Sequence, residues 1–325
     1  MVGAMRSLWH PMSVVLGIAA LTAGCAPLGP PRVPAEAAQD IVFTAREVFP
    51  ESISADRAGN IYAGSADGVI YRAMAGARVA KAWILPDERN RMRSVFGVLA
   101  DDDRGLLLAC ANPDFANPSP GATAALVMFS LADGTLSARF DLPAGPAICN
   151  DISLAPDGAI YLTETLGGRI FVLREGANEL ALFAAGEELA GVDGIAFAAD
   201  GTLYINNVRQ NLLQRVERDG EGAFRGLTAL TLSRPLAGPD GLRLVAGHTF
   251  VQAESAGDAA TLVTVTGDLA EIASLASLDS PAAVTHHAGT GYAAEGKIRY
   301  RVQPELRGQD PGVFTIRAFA LPKRD

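Results

Sequence analysis

Residues 149–165 read CNDISLAPDGAIYLTET. Ile152 and Leu154 fall on one short β-run, Ile160 and Tyr161 on a second, and Pro156-Asp157-Gly158 supplies the turn between them. The same hairpin recurs as FPESISADRAGNIYAGS at 49–65, VDGIAFAADGTLYINNV at 192–208 and PDGLRLVAGHTFVQAE at 239–254. Weaker copies are SVFGVLADDDRGLLLACA at 94–111 and SPAAVTHHAGTGYAAEG at 280–296. The copies start about 40–55 residues apart, which is propeller-blade spacing. A third β-run follows each hairpin, at 68–73, 125–131, 169–175, 212–218, 261–267 and 297–302, and a fourth follows most of them, as at 136–142 and 227–232. The expected fold is all-β: a six-bladed β-propeller of four-stranded antiparallel blades around a central channel, spanning 41–325. A blade buries both faces only against its neighbours, so the ring must close. IVFTAREV (41–48) and VFTIRAFAL (313–321) both qualify as the outermost strand of the last blade, and the sequence leaves that choice open.

Polar residues stand where the buried inner strands begin. Counting back 11 positions from Tyr62, Tyr161 and Tyr204 reaches Glu51, Asn150 and Asp193; from Phe250, with a turn one residue shorter, 10 positions reach Asp240. The weak copies give Phe96 and Pro281. Inner strands open onto one end of the channel, so four oxygen-bearing side chains from four blades point at one spot. Unpaired carboxylates crowded together repel and lose hydration. A hard divalent cation removes both problems, and three carboxylates plus an amide oxygen suit Ca²⁺ first, with Mg²⁺ or Mn²⁺ next. Zn²⁺ accepts such ligands but more often takes His or Cys. The competing reading is that each residue only caps a strand or makes an Asx turn.

The FPES, CND, VDG and PDG openings at Glu51, Asn150, Asp193 and Asp240 resemble those of the SMP-30/gluconolactonase/LRE family, relatives of paraoxonases and other calcium-dependent lactonases, over about residues 41–321. The resemblance implies one metal in the channel mouth, with Glu51, Asp193 and Asp240 as ligands and Asn150 as a ligand or substrate contact. The third opening is usually Asn-Gly and here is Asp193-Gly194. The extra negative charge should tighten cation binding and damp the metal's Lewis acidity.

The implied activity is hydrolysis of a lactone or related ester. The metal would polarise the carbonyl and stabilise the oxyanion, and Asp240, by analogy, would take the water proton. Asp151 is the nearest spare carboxylate, with holding the Asn150 loop as its expected role. Strand alternation sends one of His286 and His287 toward the channel; His287 is the candidate substrate contact, against the plainer role of filling the tunnel and bonding a carbonyl. Arg93, with Arg91 nearby, could hold an anionic substrate group on the second blade, where no ligand occurs. No G-x-S-x-G elbow supports a serine hydrolase. A non-enzymatic propeller with a structural metal, binding a small ligand or an envelope protein, is the alternative; another enzyme on this scaffold, such as a condensing enzyme of strictosidine-synthase type or a phosphotriester hydrolase, is a third.

The net charge of −9 and the lack of a basic stripe argue against nucleic acid as a partner. The N-terminus has Arg6, then a short apolar run from Val14 to Leu21, too short for a mature membrane helix. Leu21-Thr22-Ala23-Gly24-Cys25 resembles a bacterial lipobox, with Thr22 where Leu is usual; an ordinary secretory signal is the competing reading. The expected organisation is a signal peptide at 1–24, lipid on Cys25 as the membrane attachment, a Pro/Ala-rich tether at 25–40 and the propeller from 41. With Ala26 and not Asp after the Cys, the lipoprotein resemblance favours the outer membrane, facing the periplasm. A monomer is the expected state. An oxidising compartment permits a Cys110–Cys149 disulfide, and two buried free thiols fit the sequence equally well.

Overall fold

The computed structural model describes residues 39–114, 122–143 and 145–322. The expected signal segment, Cys25 and most of the tether lie outside the described residues. The rest forms six blades of four antiparallel strands, blade 5 carrying a fifth, short strand, Thr231–Leu232, parallel to its outer edge. Blade 1 comprises Pro50–Ala55, Ile61–Ser65, Ile70–Ala73 and Val79–Ile84, from the inner strand outward. Blade 2 comprises Ser94–Asp101, Leu106–Asn112, Ala125–Ser130 and Leu136–Asp141, and blade 3 Cys149–Leu154, Ile160–Glu164, Arg169–Leu173 and Ala181–Ala185. Blade 4 comprises Val192–Phe197, Leu203–Asn207, Leu212–Arg218 and Phe224–Ala229, and blade 5 Pro239–Ala246, Thr249–Glu254, Ala259–Thr266 and Leu269–Ser277.

Blade 6 settles the closure and corrects one expectation. Its strands are Pro281–His287, Thr290–Glu295, Thr315–Ala320 and Ile41–Phe43. Both candidate segments are used: 315–320 is third, and the N-terminal strand is outermost, with Ile41 opposite Ile316 and Val42 opposite Thr315. Its other edge pairs in parallel with Val79 and Ala80 of blade 1. Residues 297–302, expected as the third strand, contain instead a short helix, Arg299–Val302. The reason lies in burial. Ile316 and Phe319 enter the core from 315–320, whereas Val302 remains exposed and Ile298 only half-buried.

Each blade interface has its own hydrophobic core. Blades 2 and 3 share Leu108, Leu126, Ile152 and Leu162; blades 6 and 1 share Ile41, Ile53, Ile61 and Ile316. Side-chain oxygens also join neighbouring inner strands, whose edge N–H groups need partners. Ser52 and Ser54 accept from Val98 N and Ala100 N of blade 2, and Thr285 accepts from Ala55 N across the blade 6–1 seam. Cys110 and Cys149 form a disulfide, so the oxidised alternative is the one adopted, and it ties blade 2 to the inner strand of blade 3.

Candidate functional site

All six inner strands carry the same irregularity. Each gains one residue against its partner where it leaves the mouth: between Pro50 and Ser52, Val95 and Val98, Cys149 and Ile152, Val192 and Ile195, Pro239 and Leu242, and Pro281 and Ala283. A bulge breaks strict alternation and re-aims a side chain. Glu51, Asn150, Asp193 and Asp240 all sit in these bulges. The glycine after the bulged residue in blades 2 and 4 answers a second demand, because the next blade's backbone comes close. A Cβ on Gly194 would lie 2.6 Å from Asp240 O, and one on Gly97 would lie 2.1 Å from Asn150 O.

The bulges bring the predicted residues together. Asn150 Nδ2 donates to Asp193 Oδ2 at 2.8 Å and to Thr165 Oγ1 at 2.8 Å. Thr165 spends its own hydrogen on Val192 O, so it must accept from Asn150; this fixes the amide, and no donor among the described residues reaches its Oδ1. The Asp193 and Asp240 carboxyls adjoin and hydrogen-bond when one is protonated. Asp240 Oδ1 accepts from its neighbour Gly241 N at 3.0 Å. Glu51 Oε1 and Asp193 Oδ1 are shielded from solvent and, among the described residues, receive no hydrogen-bond donor.

Electrostatics follow from that crowding. Burial pushes the Glu51 carboxyl up to about 7, the charge of Arg301 opposing and that of Asp193 adding to the rise. Burial and the charge of Asp151 push Asp193 to about 7, against the hydrogen bonds from Asp240 and Asn150. Asp240 is raised well above the carboxylate range by burial and by the charges of Asp193 and Glu51. Buried hard-oxygen donors lacking hydrogen-bond donors fit a hard divalent cation. As the side chains stand, no three His, Cys, Asp or Glu among the described residues form a ready metal cluster.

Other expected residues lie elsewhere. His287 does not join the cluster: it ends the inner strand that starts at Pro281, and its ring lies against Gly59 in the blade 1 turn. A strand of that length carries it to the opposite end of the channel. His286 Nε2 bonds Leu244 O at 2.7 Å, the plainer of its two roles. Arg93 is exposed just before the blade 2 inner strand, on the mouth side but outside the cluster. Asp151 is a strut. Its Oδ2 accepts from Arg243 Nη1 at 2.7 Å and Ile195 N at 3.1 Å, and its Oδ1 from Ile152 N at 2.9 Å.

The supporting residues were missed in the sequence. Thr163 accepts from Asp151 N and donates to Asp193 O at 2.6 Å. Asn206 Oδ1 accepts from Gly194 N at 2.7 Å, and its amide donates to Asp240 O and Gln252 Oε1. These residues hold the backbone of the two Asp bulges. They had a signal: Thr163, Asn206 and Gln252 each lie two positions after the aromatic used for counting, on the same side of strands otherwise apolar. Arg243 had none, since its partner lies 92 residues away.

The strictosidine synthase-like, N-terminal family model matches residues 37–73, the first strands of the ring. No curated protein matches the chain. Among solved structures, a proposed gluconolactonase superposes with a TM-score of 0.61 at 15% identity, covering 89% of this chain and 96% of its own. Virginiamycin B lyase from Staphylococcus aureus gives 0.57 at 15%, covering 87% and 99%. The major Malassezia sympodialis allergen Mala s 1 gives 0.63 at 13%, covering 87% and 96%. The chain thus shares the β-propeller fold of these proteins. Identities this low show the fold alone and leave the chemistry to the site.

Proposed function

We propose that this chain hydrolyses lactones or related esters with the help of one divalent cation, Ca²⁺ first, bound at the channel mouth. Glu51, Asp193 and Asp240 would hold it, with Asn150 Oδ1 as a further donor or as the substrate contact. One observation supports the reading: Asn150 bonds Asp193, Asp240 adjoins Asp193, and among the described residues the buried Glu51 Oε1 and Asp193 Oδ1 receive no hydrogen-bond donor. Bound there, a cation supplies Lewis-acid polarisation of the substrate carbonyl and charge for the developing oxyanion.

The chain's own residues would do the rest. Asp240, beside Asp193, would take the proton of the attacking water. Asn150 is oriented by Thr165, so its free oxygen has one fixed direction. The buried Arg243–Asp151 pair spans from blade 5 to blade 3 beside the cluster and fixes the Asn150 bulge from below. Arg93 stands at the rim, where it can meet an anionic group. His287 takes no part. The Cys110–Cys149 disulfide supports an oxidising compartment, in keeping with an exported protein attached through lipid at Cys25 and facing the periplasm.

The test is hydrolysis of γ- and δ-lactones and aryl esters by the mature domain, with Ca²⁺ or with chelator, beside Asp240→Asn. Turnover that falls at least about a hundredfold both on chelation and in the variant is expected. A melting temperature that rises with Ca²⁺ while no substrate turns over would assign the ion a structural role in a binding protein.

A further inference from the structure

We propose that Arg301 is a specificity-determining residue that selects an anionic substrate, a lactone or ester bearing a second carboxylate or a comparable oxyanion. The inference rests on the hydrolase reading of the same mouth. Its starting point is an asymmetry in the ring. The connection from second to third strand is short in blades 1, 3, 4 and 5, at 66–69, 165–168, 208–211 and 255–258, but runs over 296–314 in blade 6. Second strands end at the mouth, so this insertion stands over the site. Gly296 at its start packs on Pro50 O, beside Glu51.

Two cations near the start of the insertion are engaged. Lys297 Nζ donates to Pro311 O at 2.8 Å and Val313 O at 3.0 Å, which folds the insertion back on itself. Arg299 pairs with Asp279 and lies 3.9 Å from Asp258. Arg301 differs. Its guanidinium lies over the Phe49 ring, 5.4 Å from the centroid, and among the described residues no hydrogen bond or ion pair engages it. Phe49 is two residues before Glu51, has a left-handed φ of 42°, and packs edge-on against Phe314 at 4.8 Å. A rigid aromatic shelf therefore holds an exposed cation whose charge reaches the Glu51 carboxyl.

A stacked guanidinium keeps its N–H edges free for a bidentate oxyanion. The site needs such a charge. Three carboxylates outweigh one divalent cation, so an anion approaching the mouth would be repelled; one guanidinium restores balance. If Arg301 served only as a counter-charge for Glu51, its loss would alter cation affinity and treat all substrates alike.

The experiment compares two lactones of one shape, γ-butyrolactone-γ-carboxylate and its carboxamide, with wild type, Arg301→Gln and Arg301→Lys at saturating Ca²⁺. Calorimetry gives the Ca²⁺ affinity of each protein in parallel. Arg301→Gln is expected to raise KM for the carboxylate about tenfold more than for the carboxamide, with Arg301→Lys between. Equal change for both lactones overturns the proposal. If wild type hydrolyses neither, calorimetric binding of 2-hydroxyglutarate, the ring-opened acid, decides Arg301, and the wider panel of lactones and aryl esters decides the hydrolase reading separately. Binding about tenfold tighter to wild type than to Arg301→Gln sustains it; equal or undetectable binding to both overturns it.

Discussion

Glu51 shows what the mouth costs the fold. Its carboxyl ionises near 4.5 in an unfolded chain and near 7 in the folded one. Between those values the folded state binds more protons, so stability falls as pH rises across that window and stays lowered above it. One such group represents up to about 3 kcal/mol. Asp193 and Asp240 shift in the same direction and add to the loss. A cation at the site would offset it above pH 7 and do little at pH 5, where the acids keep their protons. The melting temperature of chelator-treated protein should drop by roughly 5 °C or more from pH 5 to pH 8. Added Ca²⁺ should restore most of that at pH 8 alone. Scanning fluorimetry at both pH values checks this, and a flat profile indifferent to Ca²⁺ would remove the cation site from consideration.

At the scale of a strand, the bulge decides where the acids point. Without the extra residue, alternation would turn either Asp193 or its neighbour away from the mouth. Gly194 makes the bulge of blade 4 compatible with blade 5, since a methyl group there would meet Asp240 O and Leu242 Cβ at 2.6 and 2.9 Å. Gly194→Ala is therefore expected to destabilise the protein by about 2 kcal/mol or more through overpacking. It should also weaken Ca²⁺ binding, because the displaced atom is the Asp240 backbone. Gly158→Ala is the control: its glycine has open space around it but φ of 84°, so it costs stability without touching the site. Urea melts and Ca²⁺ titrations of both variants separate the effects; unaltered Ca²⁺ affinity in Gly194→Ala would show that the bulge does not set the ligands.

Across the whole ring, closure falls to three residues. Ile41–Phe43 bridge the outer edges of blades 6 and 1, and Asp40 extends the bridge by accepting from Ala318 N at 2.9 Å and pairing with Arg317 at 2.9 Å. A chain beginning at Gln39 should keep full stability. One beginning at Thr44 loses Ile41 and Phe43 from the blade 6–1 core and frees the edge of Thr315–Ala320. At about 1.5–3 kcal/mol for each buried side chain, that should lower the melting temperature by roughly 5 °C or more. It should also promote association through the exposed edge. Calorimetry and light scattering of the two truncations give the answer, and equal melting temperatures would mean that the seam is held by the inner strands alone.

The blade repeat, the strand order within five blades and the four mouth residues were legible in the sequence, because period, turn residues and the distance back from an aromatic are local quantities carried by adjacent residues. Other features depended on segments far apart in the chain. The first strand joins the last blade because only 315–320 supplies core side chains, leaving 297–302 to become the insertion that bears Arg301. His287 left the site because strand direction, not alternation, determines which end of the channel a residue reaches. Asp151 became a strut because Arg243, on another blade, is its partner. Charge balance and burial are sums over the whole ring, so only the folded molecule could assign them.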